Sequence, residues 1–215
     1  MGARVKICGL TRLADVEAVN AAKPDYIGFV FAESRRKIAP EQAVKLRAAL
    51  RPDIIPVGVF ADALLEHILA LVRGGAVDVI QLHGAADGPE SGDYIAELKA
   101  RTNAPLIKAV ALEKPGDAQK WAESRADYLL FDSKGGGTGQ VFDWDLIGNI
   151  GKPYFLAGGL NAGNIACAVR RTAAYAFDVS GGVETDGLKD PGKIRDFVEI
   201  IRRLGVSRRI DKDEQ

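Results

Sequence analysis

Short apolar runs recur along the chain at near-regular intervals, each rich in β-branched or aromatic residues. They fall at 4–8 (RVKIC), 25–31 (DYIGFVF), 54–60 (IIPVGVF), 77–83 (VDVIQLH), 105–110 (PLIKAV), 127–131 (DYLLF), 152–158 (KPYFLAG) and 174–180 (AYAFDVS). Most lack polar alternation, the pattern of strands buried on both faces in a parallel sheet. Between them apolar residues recur at helical spacing: Leu13, Val16 and Val19; Leu64, Ile68 and Leu71; Tyr94, Ile95 and Leu98. The plainest helix carries Ile194, Phe197, Val198, Ile201 and Leu204 on one face, with Asp190 as its expected N-cap, Pro191 as its first residue and Gly205 as its stop.

Eight strand–helix units in 215 residues predict an α/β fold, a single-domain (β/α)8 TIM barrel with a parallel eight-stranded barrel. The barrel is expected over 1–205, with a charged C-terminal tail over 206–215. An open doubly wound sheet is the structural alternative. It usually shows a glycine fingerprint after the first strand, where CGLTRL has one glycine. Either fold places chemistry at the C-terminal ends of the strands.

Composition narrows the function classes. Lys plus Arg (29) balances Asp plus Glu (29), so no global field favours nucleic acid or an anionic membrane, and a bound anion needs a local site. Cys8 and Cys167 are too far apart in sequence to suggest a disulfide framework. The opening MGARVKICGL lacks the apolar core of a secretory signal, and no stretch reaches the roughly 18 apolar residues of a bilayer span. The expectation is a cytoplasmic domain with neither membrane nor nucleic-acid partner.

The strand ends carry polar groups of complementary chemistry. Cys8 follows Lys6 on the same strand face, Arg35 and Arg36 follow the second strand, and Gln81 and His83 share a face of the fourth. Asp132 ends the sixth and opens a run containing Gly135, Gly136, Gly137 and Gly139. Gly158 and Gly159 follow the seventh and lead directly into a predicted helix; Asp178, Ser180, Gly181 and Gly182 follow the eighth. Each has a bland reading: a buried thiol is usually inert, as is expected of Cys167, paired arginines are usually solvated, and glycines shape tight turns. Their convergence on one end of a barrel points instead to a pocket. Two adjacent glycine loops there offer backbone N–H groups to a phosphate.

The stretches KICGLT (6–11), GFVF with SRR (28–36), VGVF (57–60), QLHG (81–84), LLFDS and GGTGQVFDW (129–144), LAGGL (156–160), DVSGGVE (178–184) and GLKDPGKI (187–194), in this order, resemble the phosphoribosylanthranilate isomerase family along nearly the whole chain. The resemblance implies a (β/α)8 barrel that performs an Amadori rearrangement of a phosphorylated small molecule in tryptophan biosynthesis, with no metal and no cofactor. It implies Cys8 as general base, Asp132 as general acid, and Arg36 facing the anthranilate carboxylate. Gln81, His83 and Asp178 would line the substrate pocket, and Gly158, Gly159, Ser180, Gly181 and Gly182 the phosphate site. Lys6 is a candidate cation for raising the thiolate fraction of Cys8. The family commonly has a serine where this chain has Gly181, a change that spares the main-chain donor. The glycines after Asp132 would form a mobile lid over 133–141, anchored by Phe142 and Trp144. A monomer is expected in preference to a homodimer. Two readings compete: the related isomerase of the histidine pathway, which typically has an aspartate where this chain has Cys8, and a non-catalytic barrel that only binds a phosphorylated ligand.

Overall fold

A computed structural model describes residues 2–84, 92–133 and 141–213, with side chains through Gly205. Eight parallel strands follow one another around a closed barrel: β1 (Arg4–Cys8), β2 (Tyr26–Val30), β3 (Ile55–Phe60), β4 (Val79–Leu82), β5 (Leu106–Ala111), β6 (Tyr128–Asp132), β7 (Tyr154–Leu156) and β8 (Ala176–Val179). Strand β8 pairs with β1, setting Lys6 opposite Asp178. That seam excludes the doubly wound alternative, which would leave sheet edges open.

Helices α1 (Leu13–Ala22), α2 (Pro40–Ala49), α3 (Leu65–Arg73), α4 (Gly92–Arg101), α5 (Ile165–Arg171) and α6 (Pro191–Asp213) alternate with the strands. After β5 and β6 the described residues form only 3₁₀ turns, Gln119–Trp121 and Trp144–Ile147. Pro115 and Gly116 interrupt the first of these connections. A two-stranded hairpin, β9 (Glu184–Thr185) with β10 (Leu188–Lys189), lies between β8 and α6.

The apolar runs have two buried faces because the strands separate two cores. Val57, Val79, Ile107, Leu130, Phe155 and Ala176 pack together in one. Ile7, Phe29, Ile80, Phe131 and Phe177 pack in the other with helix residues such as Val16, Ile68, Leu98 and Phe197. Near the N-terminal ends of the strands, Arg4 donates to Tyr26 Oη at 2.9 Å and to Tyr175 Oη. The Tyr128 ring lies 5.0 Å from that of Tyr175. In barrels of this kind that end serves stability rather than chemistry.

Three sequence expectations change. Leu13 and Leu64 are exposed, and the packed face of α3 is Leu65, Ile68, Leu69 and Leu71. Cys167 is exposed on α5 rather than buried. Gly205 does not stop α6, which continues to Asp213. A Cβ at Gly205 would sit 3.3 Å from Ala3 N and 3.5 Å from Gly2 Cα, so this glycine admits the N-terminal segment against the helix. The other end of α6 is as expected: Asp190 Oδ1 accepts from the Gly192 and Lys193 amides at 2.9 and 3.1 Å. No helix among the described residues is long and apolar enough to cross a membrane.

The seam is testable through its charges. Lys6 is fully buried and its Nζ lies 2.9 Å from Asp178 Oδ2. Lys6→Met strands a buried carboxylate and is expected to cost about 3–5 kcal/mol in urea unfolding. Lys6→Met with Asp178→Asn should cost less than the sum of the single changes; strict additivity would show that the pair is not coupled.

Candidate active site

Alternation along the strands explains how polar groups reach one end of the barrel. Cys8 lies two positions beyond Lys6, His83 two beyond Gln81, Asp132 two beyond Leu130, and Asp178 two beyond Ala176, each pair sharing a face. A cavity of about 490 Å³ opens there. The site residues that the resemblance implies line it: Cys8, Arg36, Gln81, His83, Asp132, Gly158, Gly159, Asp178, Ser180, Gly181 and Gly182, while Lys6 and Arg35 do not. Gly28, opposite Cys8 on β2, makes room for the thiol, since a Cβ there would lie 2.6 Å from Cys8 Sγ.

Burial sets the proton affinities. It pushes the Cys8 thiol up; Lys6 pulls it down, Asp178 pushes it up again, Lys189 pulls it down, and the balance stays above the ordinary value. The cation expected in Lys6 is therefore present, but burial outweighs it and Asp178 offsets part of its effect, so the thiol is harder, not easier, to ionise. Burial also raises the Asp132 carboxyl, against His83 and the Ser133 amide, whose N donates to Asp132 Oδ1 at 2.7 Å; the Asp178 charge adds to the rise. The cavity thus favours a protonated carboxyl at Asp132, the form that can donate a proton.

Arg36 is not a free guanidinium. Its Nε and Nη2 donate to Glu184 Oε1 and Oε2 at 2.7 and 2.9 Å. Arg35 Nη2 reaches Oε2 at 2.6 Å, and Lys189 Nζ reaches Oε1 at 2.8 Å. One buried carboxylate gathers three cations. Burial pushes it up, yet Arg36 and Lys189 hold it at about 2. Glu184 and Lys189 were not among the residues selected from the sequence. The signal for them was Asp186–Gly187, a two-residue turn with φ of 52° and 79° that folds β10 back onto β9.

Two acceptors, Gln81 Oε1 and Asp178 Oδ1, are buried without a hydrogen-bond partner among the described residues. Both residues line the cavity, where hydroxyl groups of a sugar would satisfy them. The glycine loops lie beside each other: a Cβ at Gly182 would fall 1.9 Å from Leu160 O. Among the described residues, the amides of Gly159, Gly181 and Gly182 have no backbone acceptor, which leaves main-chain donors for an anion. Gly158 and Gly159 do not lead directly into a helix as expected, because α5 begins only at Ile165. The intervening turn is held by Asn164, whose Oδ1 accepts from Asn161 N and whose Nδ2 donates to Gly159 O, both at 2.9 Å. Of the lid expected over 133–141, residues 134–140 lie outside the described residues. At its far end Trp144 is buried and Phe142 packs on the core.

The fold and cavity define a (β/α)8 barrel whose site sets a half-buried carboxyl and a buried thiol beside main-chain anion donors. The family model for N-(5'phosphoribosyl)anthranilate (PRA) isomerase matches residues 5–200. The chain belongs to this family. It is 46% identical to the N-(5'-phosphoribosyl)anthranilate isomerase of Endomicrobium trichonymphae over 94% of this chain and 99% of that one. Among solved structures it is similar to a phosphoribosyl anthranilate isomerase in complex with reduced 1-(o-carboxyphenylamino)-1-deoxyribulose 5-phosphate. That likeness has a TM-score of 0.81 and 32% identity, over 94% of this chain and 99% of the other. The same values hold for monomers generated from the dimeric enzyme of Thermotoga maritima.

The two loop glycines separate room from necessity. A Cβ at Gly181 meets only Arg36 Nη2, at 3.5 Å, so Gly181→Ser is expected to change stability by less than about 0.5 kcal/mol. Gly182→Ala drives a methyl into the Leu160 carbonyl and should cost about 1–3 kcal/mol. Thermal unfolding of both variants checks this ordering; equal losses would contradict it.

Proposed function

We propose that this chain isomerises N-(5'-phosphoribosyl)anthranilate to 1-(o-carboxyphenylamino)-1-deoxyribulose 5-phosphate, a step of tryptophan biosynthesis, with Asp132 as general acid and Cys8 as general base. The observation that carries the assignment of roles is the shared cavity. Cys8 on β1 and Asp132 on β6 open onto it, together with Arg36 after β2 and the glycine loops after β7 and β8. Those loops suit the substrate phosphate, and Arg36, oriented by Glu184, suits the anthranilate carboxylate.

The chemistry follows from where protons must move. The Asp132 carboxyl gives its proton to the furanose ring oxygen as the C1′–O bond breaks, and the anthranilate nitrogen lone pair forms the Schiff base. The Cys8 thiolate removes the proton from C2′, and the C–H electrons pass toward nitrogen to give an enolamine. Ketonisation then places a proton on C1′ and releases one from the C2′ hydroxyl. No electron leaves the substrate, so the reaction is an internal redox exchange. A monomer is the state proposed here, with the residues named above all supplied by this chain; the Thermotoga maritima relative is dimeric.

The productive enzyme carries a carboxylic acid and a thiolate together. Burial raises both groups, and with the thiol titrating above the carboxyl this form is the minor of the two singly protonated states. The sign follows: the rate rises with pH as the pair loses its first proton, mainly from Asp132, and falls as Cys8 loses the second.

Mixing the protein with phosphoribosylanthranilate should abolish the anthranilate-type fluorescence, with a bell-shaped dependence of kcat/KM on pH. Cys8→Ala and Asp132→Asn should each lose about 10²- to 10⁴-fold in kcat. Absence of turnover by the wild type would favour the binding-only barrel, and turnover of the histidine-pathway aminoimidazole substrate alone would favour the related isomerase.

A further inference from the structure

Lys189 is a buried ammonium that no step above uses. Its Nζ reaches Glu184 Oε1 at 2.8 Å, Ser180 O at 3.0 Å and Ser180 Oγ at 3.3 Å. All three of its donors are thereby engaged. Ser180 Oγ in turn donates to the backbone carbonyl of Cys8 at 2.9 Å. A continuous run of hydrogen bonds therefore joins the β9–β10 hairpin to the loop after β8, and that loop to the residue bearing the thiol. We propose that Lys189 is a positioning residue of the isomerisation: it holds the Ser180–Gly182 loop against β1 and supplies the uncancelled positive field that favours the Cys8 thiolate. The inference rests on the reading of Cys8 as base.

The charges around the thiol explain why Lys6 is not enough. Four charged groups act with Cys8: Lys6 on its own strand, Asp178 on β8, Lys189 on the hairpin, and Arg36 after β2. Lys6 has its own counter-ion, since Asp178 lies 2.9 Å away and pushes the thiol back up. Lys189 shares one carboxylate, Glu184, with Arg35 and Arg36. Three cations around one anion leave net positive charge, and that surplus is what reaches Cys8 and the loop. The arrangement also suits a substrate with two anionic ends, because neither end must displace the only counter-ion of a buried cation.

The test separates field from packing. Iodoacetamide alkylation of Cys8 is followed against pH in a Cys167→Ala background, which removes the exposed thiol of α5. Lys189→Met is expected to raise the alkylation midpoint by about one pH unit and to move the alkaline limb of kcat/KM with it. The plateau should fall about tenfold as the productive form becomes scarcer, and KM should rise as the loop loosens. Lys189→Arg should restore the midpoint toward wild type. Glu184→Gln should move the midpoint the other way, downward, and this serves as the reading if Lys189→Met does not fold. An unmoved midpoint in these variants, with Cys8→Ala inactive, would overturn the role of Lys189 and leave the base assignment standing. Full turnover by Cys8→Ala would overturn the base assignment whatever the midpoint does.

Discussion

A lysine and an aspartate shielded from water face each other across the closing seam of the barrel. Lys6 on β1 and Asp178 on β8 lie 2.9 Å apart, and each is tolerable there only because of the other. Their pairing allows charge to be buried inside an otherwise apolar barrel. It also leaves Asp178 with one oxygen, Oδ1, committed to no partner among the described residues, and it brings a fixed dipole beside the Cys8 thiol. The position of the seam and the polarity of the cavity floor follow from that pair, while burial makes Cys8 reluctant to ionise.

The same low-dielectric setting has opposite consequences for the two proposed catalytic groups. Raising the proton affinity of a carboxyl makes it a usable acid near neutral pH. Raising that of a thiol withholds the base. A site built this way gains at Asp132 and loses at Cys8, and the positive charge gathered around Glu184 offsets part of the loss. Arg35, Arg36 and Lys189 on one carboxylate are thus more than a structural staple. They keep a cationic rim on a neutral chain, whose 29 basic residues balance 29 acidic ones.

Most of the fold was legible because it depends on periodicity. Runs such as IIPVGVF and DYLLF are buried on both faces, and only a sheet covered on both sides explains that. The strand-end residues were legible for a related reason: alternation places Lys6 with Cys8, and Gln81 with His83, whatever the rest of the chain does. Ion-pair partners were not legible in this way. Glu184 and Lys189 lie five residues apart with no periodicity to pair them, and the Asp186–Gly187 turn folds the lysine back onto the glutamate. Gly205 has the composition of a helix stop, yet its role depends on a contact with residues 2 and 3 at the far end of the sequence. Local signals report local geometry, and both of these features were set by tertiary contacts.

The central claim is that burial keeps Asp132 protonated where an ordinary aspartate would be ionised. It is tested most directly by ¹³C NMR of side-chain carboxyls across pH, with the Asp132 resonance assigned by its loss in Asp132→Asn. The account predicts a midpoint above the usual aspartate value of about 4, the direction in which burial moves this carboxyl. A midpoint at or below that value would contradict it.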